Sequence, residues 1–251
     1  MIMHSFLLIG QSNMAGRGLP TEVEPITNPR LYALRNGRWW PRYVPVNPDR
    51  VTAGVNLAES FADRYCVEHD ADVGLIPCAD GGSSLDMWQV GGVLFDHACY
   101  MAELASRSST IAGVLWHQGE SDCAPELYPH YEEKLHVILD ALRDRLGLHD
   151  VPFLLGGLGD WLEHCPRGDK FKNYVHVNAA LQRVAEAREH TAFVPAHGLG
   201  CNPDYLHFSA DGLRRFGLRY YEEFAKLEDK SKVFADKTPP ELAIRTGIEA
   251  L

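Results

Sequence analysis

The chain has no surplus of basic residues: 24 Lys and Arg stand against 34 Asp and Glu, a formal net charge of −10. Polyanion binding needs clustered cations that displace counterions from phosphates, so this balance argues against nucleic acid as a partner. Long hydrophobic runs are missing too. None approaches the roughly 20 residues of a membrane-spanning helix, and the short run at residues 6–9 lacks the basic flank of a secretory leader. The six cysteines (Cys66, Cys78, Cys99, Cys123, Cys165 and Cys201) form no C-x-x-C pair. That scatter fits reduced thiols and a cytoplasmic location better than a disulfide framework or a structural zinc site. Twelve histidines are present, yet none stands in an H-x-x-x-H or H-E-x-x-H arrangement. Metal-dependent hydrolysis therefore lacks its usual ligand spacing.

What is present is alternation. Short apolar, β-branched runs at residues 5–9, 72–77, 111–116, 151–155 and 191–194 predict buried strands. Helical periodicity fills residues 56–68, 94–106, 125–146, 173–188 and 209–226. Strand alternating with helix predicts an α/β fold: three layers, α/β/α, around a doubly wound parallel sheet of about five strands, flavodoxin-like in order. Two segments fall outside the pattern. Residues 19–54 read as a long loop that folds back and contributes substrate contacts. The tail from 230 to 251 reads as an extension of a single 1–229 domain, with Pro239 and Pro240 halting the last helix and a short helix at 241–250.

The polar clusters each follow a predicted strand, where open parallel sheets bind ligands. They occupy residues 10–18, 80–88, 117–122 and 204–207. With strand order 2-1-3-4-5, Ser12 comes to lie beside Gln118 and Glu120 at the switch point. A serine hydroxyl needs a base to take its proton, and His207, oriented by Asp204 three residues earlier, can supply one. An acyl-transfer oxyanion could be held by the Ser12 N–H, the N–H of a glycine such as Gly82 and the Gln118 side-chain amide. Each feature alone has a plainer reading. Ser12 could cap a helix, the Asp204–His207 pair could order a turn, Gly81-Gly82 could be only a bend and Gln118 only a strand-end hydrogen-bonder.

Taken together, GQSNMAGRG (10–18), GGSSLDMW (81–88), HQGESD (117–122) and DYLHFSADG (204–212) resemble the carbohydrate-esterase branch of the SGNH/GDSL hydrolases, which holds acetylxylan esterases and sialate O-acetylesterase-like proteins. Gly-Gln-Ser-Asn replaces the namesake Gly-Asp-Ser-Leu, and Gln118 replaces an asparagine, which favours that branch over lipases. The resemblance implies Ser12 as nucleophile, His207 as base and Asp204 as its partner, with Glu120 a helper or rival. It implies an oxyanion hole of Ser12, Gly82 and Gln118, no metal or organic cofactor, and an acetylated saccharide as substrate; the cytoplasmic location favours a small one over intact xylan.

Trp88, Trp161, Trp39 and Trp40 are candidates for stacking on a sugar face, although a tryptophan in an α/β domain more often packs in the core or a lid; Arg17 could grip a sugar carboxylate or pair with an acid such as Asp86. A short-chain lipase or thioesterase shares the same triad. A non-catalytic sugar-binding protein would usually have lost Ser12, His207 or an oxyanion donor.

Overall fold

The run Met-His-Ser-Phe-Leu-Leu-Ile-Gly forms strand β1 (Met3–Gly10), and all eight residues are buried. Strands covered on both faces read as continuous apolar runs, which makes β1 the centre of the fold. The computed structural model describes residues 3–228. β1 pairs in parallel with β4 (Asp72–Pro77) on one side and β5 (Thr110–His117) on the other. Beyond β5 follow β6 (Phe153–Gly156) and β7 (Thr191–Val194), both parallel. These five strands have the expected 2-1-3-4-5 order.

The sheet has seven strands rather than about five. Inside the supposed loop 19–54, β2 (Leu31–Arg35) and β3 (Arg38–Pro41) form an antiparallel hairpin whose first strand pairs in parallel with β4. Asn36 and Gly37 turn it with φ of 50° and 73°. Two adjacent positive φ values are what a tight two-residue hairpin requires, and Asn-Gly supplies them at low cost.

Helices α2 (Ala58–His69) and α6 (Ala210–Leu227) pack together over one face, while α3 (Val93–Ala105), α4 (Tyr131–Leu146) and α5 (Tyr174–Glu186) form the other layer. Ser209 caps α6, its hydroxyl accepting the Gly212 N–H at 3.1 Å. Helix α4 begins at Tyr131 and not at residue 125, because Pro129 has no N–H to donate and occupies a preceding 3-10 turn (Tyr128–His130). Phe6 of β1 meets Phe61, Tyr65 and Phe224 edge-on at 4.7–5.8 Å, which locks α2 and α6 onto the sheet.

No helix among the described residues is long and apolar enough to cross a membrane. The expected extension 230–251, with its helix at 241–250, lies outside the described residues.

Candidate active site

β1 and β5 end side by side, the Gln11 N–H donating to the His117 carbonyl at 2.8 Å. Immediately beyond, the chain turns into the short helix α1 (Ser12–Ala15). The turn presents Ser12 to a cleft of about 440 Å³, also lined by Gln11, Gly82, Glu120 and His207.

His207 arrives from the loop between β7 and α6. Its carbonyl accepts the Asn202 N–H at 2.7 Å, and the Asn202 amide donates to the Arg17 carbonyl at 3.0 Å. This loop places His207 Nε2 3.1 Å from Ser12 Oγ. On the other side of the ring, Nδ1 lies 2.6 Å from Asp204 Oδ2, and Asp204 Oδ1 accepts the N–H groups of Leu206 and His207 at 3.0 Å. Burial alone would raise the Asp204 carboxyl. The N–H of Leu206 and the contacts with His207 outweigh that and hold it below the ordinary carboxylate range. The carboxylate therefore stays charged at neutral pH, and it fixes the proton on Nδ1 and leaves Nε2 able to accept one from serine.

The second glycine loop closes the cleft beside Ser12. Gly81 donates its N–H to Asp49 Oδ2 at 2.8 Å, and a Cβ at Gly81 would lie 2.5 Å from an Arg17 guanidinium nitrogen and 2.8 Å from Asp49. Nothing larger than glycine fits without displacing that pair. Gly82 adopts φ +83°, a conformation that favours glycine. Among the described residues neither the Gly82 nor the Ser12 N–H meets an acceptor.

Several expected roles are corrected. Gln118 is fully buried and off the cleft, its amide nitrogen facing Asp122 at 2.6 Å, Ser83 carbonyl at 3.0 Å and Gln11 Oε1 at 3.1 Å. Its donors are already engaged, so it cannot also hold an oxyanion. Trp88 is fully buried, donating to Ser83 Oγ at 2.9 Å and packing edge-on against Trp116, so it offers no face to a sugar. Trp161 and Trp39 are also buried, and Trp40 belongs to the hairpin at the far sheet edge. Arg17 reaches the cleft wall, but its fork is closed on both Asp49 oxygens at 2.8 and 3.0 Å. It braces the Gly81 turn instead of standing open to a ligand. Asp86 pairs with Lys134. Glu120 does not touch His207; its Oε1 receives Asn13 Nδ2 at 2.5 Å and His117 Nε2 at 3.2 Å.

Other residues escaped the sequence reading. Gln11 lines the cleft, and its Oε1 accepts the N–H groups of Gly119 and Ser121 at 3.3 Å, which leaves its NH2 for the cleft. The adjacency to Ser12 was the available signal. Arg50 and Thr52, at the end of the 19–54 segment, and Arg167 and Lys170, beyond β6, also line the cleft. Their side chains had no motif around them.

The model of the carbohydrate esterase family of sialic acid-specific acetylesterases matches residues 2–226. A probable carbohydrate esterase of Arabidopsis thaliana, At4g34215, is 28% identical over 244 residues, covering 85% of this chain and 86% of that protein. The crystal structure of the Arabidopsis thaliana protein AT4G34215 superposes with a TM-score of 0.79 at 25% identity, over 89% of this chain and 98% of that one. The crystal structure of NanS shares the fold, with a TM-score of 0.72 at 17% identity over 90% and 97% of the two chains. A carboxylic ester hydrolase fold, a serine and histidine in contact on an open cleft and a match over nearly the whole length agree: the chain belongs to the sialic acid-specific acetylesterase family of carbohydrate esterases.

Proposed function

We propose that this carbohydrate acetylesterase works by a serine mechanism on small acetylated sugars that carry a carboxylate, of the sialic acid type. The unbroken chain from Ser12 Oγ through His207, both on the cleft wall, to Asp204 behind them carries the reading. Ser12 Oγ attacks the acetyl carbonyl carbon as its proton passes to His207 Nε2, and the carbonyl electron pair moves onto oxygen. The N–H groups of Ser12 and Gly82 hold that oxyanion, and the Gln11 NH2 takes the place expected of Gln118. Collapse breaks the bond to the sugar oxygen, which leaves with the proton from His207. Water then attacks the acetyl-serine with His207 as base, and the second collapse releases acetate and returns the proton to Oγ.

Charge supports the acidic sugar. On a chain of net charge −10, the cleft is lined by four cations, Arg17, Arg50, Arg167 and Lys170. Arg17 is neutralised by Asp49 and Arg50 by Asp80, whereas no acidic partner engages Arg167 or Lys170 among the described residues. Two uncompensated cations attract and orient a carboxylate. The polar lining also disfavours the long acyl chain of a lipase substrate. Six unbridged cysteines support a cytoplasmic site of action.

The test is a comparison of substrates: p-nitrophenyl esters from acetate to octanoate, then O-acetylated sialic acid against acetylated xylo-oligosaccharide. Cleavage that falls with acyl length and favours the sialic acid is expected. A preference for octanoate would return the assignment to the lipases, and a preference for the xylo-oligosaccharide would overturn the carboxylate.

A further inference from the structure

We infer that Asn13 and Glu120 form a positioning unit for the base: Glu120 holds Asn13, and Asn13 grips the backbone on both sides of His207. The inference rests on the reading of His207 as the base. Asn13 is fully buried in α1, one residue after the serine. Its Nδ2 donates to Glu120 Oε1 at 2.5 Å and to the Leu206 carbonyl at 3.1 Å, and its Oδ1 accepts the Phe208 N–H at 3.1 Å. One side chain thus links the residue before His207 to the residue after it, and both to the turn that carries Ser12. Both amide hydrogens are used, so the amide has a single favourable orientation.

Glu120 fixes that orientation. It is 2% exposed, and His117 Nε2 donates to the same Oε1 at 3.2 Å. His117 in turn packs edge-on against Phe208 at 5.6 Å, so the carboxylate reaches the His207 loop by a second route through aromatic packing. Burial would raise the Glu120 carboxyl, but the charge and hydrogen bond of His117 and the amide of Asn13 overcome this and keep it low. An ionised acceptor makes the Asn13 hydrogen bond stronger than a neutral pair. Displacing a catalytic group by about 1 Å can cost about 100-fold in rate, so a device that fixes the base need not touch the substrate to matter.

The experiment is steady-state hydrolysis of p-nitrophenyl acetate by Asn13→Ala, Glu120→Ala and Glu120→Gln, each alone and combined with His207→Ala, with melting curves for all. Asn13→Ala and Glu120→Ala should each lower kcat by about 10- to 100-fold with KM within about twofold. Glu120→Gln, whose Oε1 can still accept from Asn13, should recover most of the loss. In the His207→Ala background the same substitutions should cost less than about twofold further, because effects of residues that act through one group do not multiply. Undiminished losses in that background would place their action on Ser12 or the substrate and overturn the inference. So would a normal kcat in a folded Asn13→Ala. If Asn13→Ala does not fold, Asn13→Leu keeps the volume without the amide and adds no charge beside Glu120, and is held to the same outcomes. A fully active His207→Ala would instead reject the base itself, a separate failure.

Discussion

Asp204 Oδ2 lies 2.6 Å from His207 Nδ1, whereas among the described residues the side-chain hydrogen bonds of Glu120 run to Asn13 and His117. Two carboxylates near one histidine thus have different parts. Asp204→Asn keeps the shape but can favour the wrong tautomer of His207, and should lower kcat by about 10³- to 10⁴-fold. Stopped assays on p-nitrophenyl acetate check this. A loss below about tenfold would mean that Glu120 or solvent can replace Asp204.

Removing the uncompensated cations should separate sugar recognition from chemistry. Arg167→Ala and Lys170→Ala should each raise KM for O-acetylated sialic acid by about tenfold, as expected for loss of one charge-assisted hydrogen bond, and leave p-nitrophenyl acetate hydrolysis unchanged. Initial-rate measurements with both substrates read the difference directly. Equal losses on both would point to a disturbed cleft, and no loss on either would remove the carboxylate argument.

Glu59 is fully buried at the start of α2, hydrogen-bonded by Arg42 from the end of the hairpin and ion-paired with Arg214 of α6 at 3.2 Å. Removing the carboxylate would leave two guanidinium groups with little access to water. Glu59→Ala should therefore cost about 3–5 kcal/mol of folding stability, measured by urea unfolding. The catalytic cleft is not part of this cluster, so the surviving folded fraction should retain normal KM.

His4 supplies a stability effect with a definite sign. Burial, aided by the nearby His69 charge, lowers its imidazole to about 4, and Nδ1 bonds Tyr65 Oη at 2.7 Å. The unfolded chain binds a proton near pH 6.5 that the folded chain refuses until about pH 4, so stability is full above 6.5 and is lost as pH falls between these values. Between pH 7.5 and 5 this amounts to about 2 kcal/mol, less whatever relaxation of the site recovers. Urea unfolding of the wild type and of His4→Asn at both pH values should show that difference; equal pH dependence in the two proteins would contradict it.

Much of this architecture was legible because its signals were local. Continuous apolar runs marked the five parallel strands, and the strand order then put Ser12 near Gln118 and Glu120. The hairpin β2–β3 was missed although Asn36-Gly37, set between Leu-Tyr-Ala-Leu-Arg and Arg-Trp-Trp-Pro, is a strong turn signal. Prolines and arginines around it break the apolar pattern on both sides. Side-chain direction was the part sequence could not supply. Gln118 and Gln11 are both amides beside the site, and only the three-dimensional hydrogen bonds of Asp122 and Ser83 show that the first is turned inward. Trp88 could stack on a sugar or pack in the core, and the bond from its N–H to Ser83 Oγ places it in the core. Arg167 and Lys170 come from a segment between the blocks at 117–122 and 204–212 and belong to neither, so charge in the cleft appears only once the chain is folded.

The most direct test of the account is to trap the acyl-enzyme. The protein is mixed with p-nitrophenyl acetate, quenched in acid within the first turnovers, and its peptides are mapped by mass spectrometry. The account predicts one acetyl group on Ser12, absent from Ser12→Ala, together with loss of nearly all turnover in that variant. Turnover that persists in Ser12→Ala, or an acetyl group that forms on another residue during productive turnover, would contradict it.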